Sequence, residues 1–260
     1  MRVTRPNLLC WYNSDPDPDK LPRPLNDCRT GSLITFPGEE FSFYLNALVP
    51  AQRNNLSSVS IVSVIPGGPS HTVQNGVTTD AVRDGETTVY GSLTCPDMPP
   101  GLYRYRLQFG ADVLFSTVIE IADEETARAC SIAISCRHPV SMQGVRYPWV
   151  DPLFAQAYRI RALLVDAPPQ AEMTAYREAT TGITVPYNTA FDQILRFQVP
   201  MTDADILQGL AVTLLHEQLY INNRPVSTKD MLTTSPGRAG LATGSFSVID
   251  NSIADALQPA

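Results

Sequence analysis

Prolines recur along nearly the whole chain, 22 of them in 260 residues against 15 glycines, and they restrict what the backbone can do. A proline within a helix removes a hydrogen-bond donor and collides with the preceding turn, whereas short strands joined by stiff connections tolerate it. Long helices are therefore disfavoured over most of the length. Hydrophobic residues supply 43% of the sequence and charged residues 17%, enough apolar material for a core and far from a disordered composition. The expectation is a mainly β protein, and 260 residues divide most naturally into two domains.

Residues 1–30 contain Asp15-Pro16-Asp17-Pro18-Asp19 followed by Pro22 and Pro24, a run that cannot be helical and reads as an extended arm. The alternating aspartates lack the glycine of a calcium loop and are interrupted by proline, so the arm is read as solvated or draped on a partner. Trp11 and Tyr12 are its candidate interface anchors.

From 31 to 123 short alternating runs are punctuated by turns. Leu33-Ile34-Thr35-Phe36 stops at Pro37-Gly38, and Glu40 to Leu45 places Phe41, Phe43 and Leu45 on one face. Val59 to Ile65 alternates again and ends at Pro66-Gly67-Gly68, while Asn75-Gly76 and Asp84-Gly85 are hairpin dipeptides. In Leu102 to Phe109 the residues Tyr103, Tyr105, Leu107 and Phe109 share a face and Arg104 and Arg106 point away, and the turn at Gly110-Ala111-Asp112 pairs this run with Val113 to Ile121. Six or seven short strands over this span predict an immunoglobulin-like β-sandwich without the Cys-Trp-Cys core of antibody domains.

Charge accumulates at Asp123-Glu124-Glu125, which reads as a junction to a second, α+β domain over 124–260. Ser131 to Ser135 and Tyr158 to Val165 read as strands, separated by the aromatic loop Tyr147-Pro148-Trp149. One helix is predicted, from Thr202 to His216, with Thr202 as N-cap and Ile206, Leu207, Leu210, Ala211, Leu214 and Leu215 as its apolar stripe. Leu219-Tyr220-Ile221 continues as a strand into the turn Asn222-Asn223, and Gly244 to Ile249 supplies the last strand.

No catalytic, cofactor-binding or metal-ligating set emerges. His216-Glu217-Gln218-Leu219-Tyr220 places tyrosine where a zinc protease needs its second histidine, so His216 is read as a histidine suited to a helix C-terminus. Cys130, Cys136 and His138 lack a fourth ligand, and the five cysteines form no CxxC pair, so they read as mostly reduced thiols; only Cys10 with Cys28 is a candidate bridge. Gly237 to Ser245 has the glycines of a phosphate loop without its Lys-Ser/Thr ending and reads as a flexible loop. With three histidines in all, a serine or cysteine triad has few bases, and the reading is that the protein is not an enzyme. Tyr103 and Tyr105 read as packing residues, whereas Tyr147 and Trp149 are candidate interface residues.

The net charge of −7 and the absence of a Lys/Arg-rich stretch give no footprint for nucleic acid. Leu8-Leu9-Cys10-Trp11 is too short for a signal peptide core or a membrane span.

The order of elements resembles structural proteins of tailed bacteriophages that infect Bacteroidetes bacteria. The resemblance rests on Ile34 to Leu45, Pro100-Gly101-Leu102-Tyr103-Arg104, Leu114-Phe115-Ser116 before Ile119-Glu120-Ile121, Tyr158 to Ala162, Thr174 to Glu178 and Leu214 to Asn222. It implies a virion component of tail, baseplate or neck, built in host cytoplasm, with copies of itself and other virion proteins as partners. The alternative is an adhesin-like module whose sandwich binds host-surface glycan, recognised by aromatic platforms and acidic side chains. An enzyme acting on a small acidic substrate is the third reading.

Overall fold

A computed structural model of the chain describes residues 11–12, 33–47, 56–73, 77–81, 87–109, 112–137, 155–237 and 241–252. The first half holds β1 (Trp11–Tyr12), β2 (Leu33–Thr35), β3 (Glu40–Ala47), β4 (Leu56–Ser63), β5 (Ser70–Val73), β6 (Val77–Ala81), β7 (Thr87–Thr94), β8 (Gly101–Phe109), β9 (Asp112–Ser116) and β10 (Ile119–Ile121). A short helix α1 (Glu124–Ala129) leads into β11 (Ser131–Arg137), β12 (Ala155–Arg161), β13 (Leu163–Asp166), β14 (Pro169–Arg177) and β15 (Thr184–Asp203). The helix α2 (Ala204–Thr213) is followed by β16 (Gln218–Ile221), β17 (Arg224–Pro236) and β18 (Leu241–Asp250). The protein is mainly β, as its prolines require, with a large mixed sheet and two helices among the described residues.

Alternation dictates the core of the first half. Tyr103, Tyr105 and Leu107 on β8 and Val59 and Ile61 on β4 are buried, and β4 and β8 pair antiparallel with Ile61 opposite Tyr105. A second, three-stranded sheet of order β3-β7-β6 lies across them, its Phe41 ring 5.9 Å from that of Tyr105. β9 and β10 follow one another along the other side of β8. Between them the Ser116 hydroxyl accepts the Tyr105 N–H at 2.9 Å and so replaces a ladder bond where the strand breaks. Gly38, at φ +86°, turns the chain from β2 into β3, as Pro37-Gly38 predicts. Two expectations fail here. Arg104 is buried, so the second face of β8 is covered at that position; Ile65 is 71% exposed because β4 ends at Ser63 and the chain turns.

β2 joins the halves. It pairs in parallel with β10 and, through Leu33 opposite Ile160, with β12. From β12 the order runs β11-β16-β17-β18-β15-β13. Because Ala162 alone separates β12 from β13, this part of the sheet must curl until its ends meet. One contiguous apolar cluster extends from Phe41 and Tyr105 through Ile132, Tyr158 and Leu195 to Phe246 and Val248.

The predicted helix is present but shorter. α2 buries Ile206, Leu207 and Leu210 against β15, β17 and β18, while Leu215 lies past its end and is 45% exposed. Thr202 belongs to β15 and the cap position falls to Asp203, whose side chain makes no capping bond. The acidic run at 123–125 proves to start α1: the Asp123 carboxylate accepts the Thr126 N–H at 2.8 Å. Asn222 and Asn223 both take positive φ, the two-residue turn that joins twisted strands, here β16 and β17. Leu241 to Thr243, expected as loop, is the start of β18, and the strand expected from Gly244 continues it. Asn75-Gly76, Asp84-Gly85, Cys10, Cys28 and His138 lie outside the described residues.

Candidate functional site

Of the four candidate interface residues, Tyr147 and Trp149 lie outside the described residues. The backbone of Trp11 and Tyr12 forms β1 and pairs antiparallel with β9, opposite Ser116 and Phe115 of the same chain. His216 takes the role read for it: its Nδ1 donates to the carbonyls of Val212 at 3.1 Å and Thr213 at 2.9 Å, closing the end of α2. Cys95, Cys130 and Cys136 are free thiols. Burial pushes Cys95 up to about 11 and Cys136 up to about 12, which removes thiolate reactivity at neutral pH. Among the described residues no group of three or more His, Cys, Asp or Glu side chains is placed to hold a metal.

Two features outside that prediction stand out. The first is the seam between the halves. β12 alternates, so Tyr158 and Ile160 enter the core while Arg159 and Arg161 share the other face. That face meets the first half. Arg159 donates Nε at 2.9 Å and Nη2 at 2.8 Å to Glu39 Oε1, and Thr35 Oγ1 donates to Glu39 Oε2 at 3.1 Å. Their side chains are 6% and 16% exposed, so the charges are compensated by bonds and not by water. Arg161 binds Glu120 at 2.8 Å and donates to Cys130 Sγ at 2.9 Å. Above the seam the Phe36 ring lies under two guanidinium groups, those of Arg128 at 5.4 Å and Arg159 at 5.5 Å. A cleft of about 610 Å³ opens beside it, lined among others by Glu40, Arg128, Ser135, Asn222 and Asn223. It has polar walls and one partly engaged aromatic face. Its polar lining comprises the carboxylates of Glu39 and Glu40, the Arg128 guanidinium, the Ser135 hydroxyl and the Asn222 and Asn223 amides.

The second feature is an arm. β15 runs for 20 residues, and only Ile194 to Asp203 pair with β18. Among the described residues its first part, Thr184 to Gln193, pairs only with β14, forming a two-stranded ribbon that extends past the body of the sheet. β13 continues that same side of β15 toward the body. There Leu164 pairs with Phe197 and Asp166 with Arg196, so Val165 is an extra residue in an irregularity of the register. Leu163, Leu164 and Val165 are 56%, 54% and 61% exposed, three consecutive apolar residues with no described strand on their outer side. β11 cannot supply one, because it begins opposite Arg161 and α1 precedes it. Ile183, at the tip of the arm, is also exposed. Another edge of the sheet, on the β4 side of β8, is β5, four residues long, whose Ser70, His71 and Thr72 are polar and exposed. Such a short polar edge discourages pairing; the β13–β14 edge differs in exposing apolar residues, beside Pro168, Pro169 and an irregularity at Leu164/Asp166.

Sequence reasoning missed both features for identifiable reasons. Arginine at alternate positions of a strand is the ordinary signature of a solvent face, and nothing local to Tyr158-Arg159-Ile160-Arg161 names Glu39 or Glu120 as partners. The signal for the edge was present in Leu163-Leu164-Val165, but a continuous apolar run reads as a buried strand. No protein-family model matches the chain, and no curated protein matches it in sequence.

Proposed function

We propose that the protein is a non-enzymatic virion structural component of a tailed phage, of tail, baseplate or neck type, that works as one of many copies. The β14–β15 arm carries this reading. A two-stranded ribbon is at best marginally stable in water and gains its order from a third strand or a packed face. Among the described residues no third strand pairs with this arm, and at its base exposed apolar residues form an edge. Both are expected of a chain whose folding is completed by a neighbour. The resemblance in Ile34 to Leu45 and Leu214 to Asn222 points the same way.

In this reading the first half is an immunoglobulin-like sandwich and the second an α+β assembly domain. The packing of the β3-β7-β6 sheet on β4 and β8 through Phe41 and Tyr105 favours the sandwich, and the seating of α2 on β15, β17 and β18 favours the second element. Negative-stain microscopy and light scattering of the purified chain test the proposal. Rings, tubes or defined oligomers are expected, and a chain that stays monomeric at all concentrations and forms no particles would overturn it.

A second reading has one observation in its favour. The cleft beside Phe36 joins the Glu40 carboxylate to the Asn222 and Asn223 amides, a donor and acceptor set that suits sugar hydroxyls. Saturable binding on a glycan array, lost in Asn223→Ala together with Glu40→Ala, would favour an adhesin.

A further inference from the structure

We draw no further inference here: the strongest candidate, the exposed apolar run Leu163-Leu164-Val165 on the β13–β14 edge at the base of the arm, carries nothing because nothing in the structure shows what covers it.

Discussion

Arg159 grips one carboxylate oxygen of Glu39, 120 positions away, with both Nε and Nη2, and thereby pins the β2–β3 turn of the first half to β12 of the second. Removing one member of such an enclosed pair strands a charge, so Arg159→Ala is expected to cost about 3–5 kcal/mol. Replacing both members by apolar residues of similar volume, Arg159→Met with Glu39→Leu, removes the stranded charge and is expected to cost clearly less than either single change. Urea denaturation of the wild type, Arg159→Met, Glu39→Leu and the double variant gives the coupling directly.

Gly244 on β18 lies beneath α2, where an added Cβ would sit 3.0 Å from both Leu207 Cδ2 and Leu232 Cδ1. Leu207 is buried in the helix contact and has little room to yield. Gly244→Ala is expected to destabilise by about 1–3 kcal/mol despite alanine's better fit to a strand, and Gly244→Val by more. Thermal melts of the three proteins decide it, and no loss in the alanine variant would mean that α2 is loosely seated.

Asp203 and Asp250 titrate in opposite senses. Burial, with the neighbouring Asp205 charge, raises Asp203 above the ordinary carboxylate value. Its ionised form is therefore a burden at neutral pH that disappears as pH falls below the ordinary value. Asp203→Asn is expected to stabilise at pH 7 and to converge on the wild type near about pH 3. For Asp250 burial pushes upward, but hydrogen bonds from Ser252 and the Arg224 guanidinium outweigh it and the carboxyl ends lowered. Its contribution is present above the ordinary carboxylate range and is lost as pH falls through its depressed value. Asp250→Asn should therefore destabilise at pH 7. Denaturation midpoints of both variants across this range check the two signs.

The thiols should separate by rate. Cys95 and Cys136 are buried and their thiols are pushed up to about 11 and about 12, whereas Cys130 lies partly exposed at the end of α1 with an Arg161 N–H on its sulfur. Alkylation of the native protein at about pH 8, mapped by mass spectrometry, is expected to modify Cys130 well before the other two. Equal rates for the three would show that the core opens readily.

The elements that were legible in the sequence are those whose signal is local. Tyr103, Tyr105 and Leu107 alternate and are buried, Gly38 and Asn222-Asn223 turn the chain where predicted, and the stripe of Ile206, Leu207 and Leu210 marks the face that α2 buries. What escaped was set by distant residues. Arg104 looked like a solvent-facing arginine because alternation says only that two faces differ, and not that one of them is wet. Glu124 and Glu125 looked like a linker because six residues of helix are too few to show a period. Tyr158 to Val165 looked like one strand, and the split at Ala162 follows from the curl of the sheet, which no window of the sequence contains. The Arg159–Glu39 pair and the open β13 edge have the same origin: each depends on which strand arrives alongside.

β2 is three residues long, yet it lies between β10 and β12. Its place in the order of events follows. When β2 leaves the ribosome neither neighbour has been made, and the second arrives only after Ile160 has been synthesised. The strand that bridges the two halves must wait for the most distant strand pairing among the described residues, Leu33 with Ile160, and such non-local pairing is slow. A refolding experiment should therefore show early burial of Tyr105 and late protection of the Leu33 amide from hydrogen exchange.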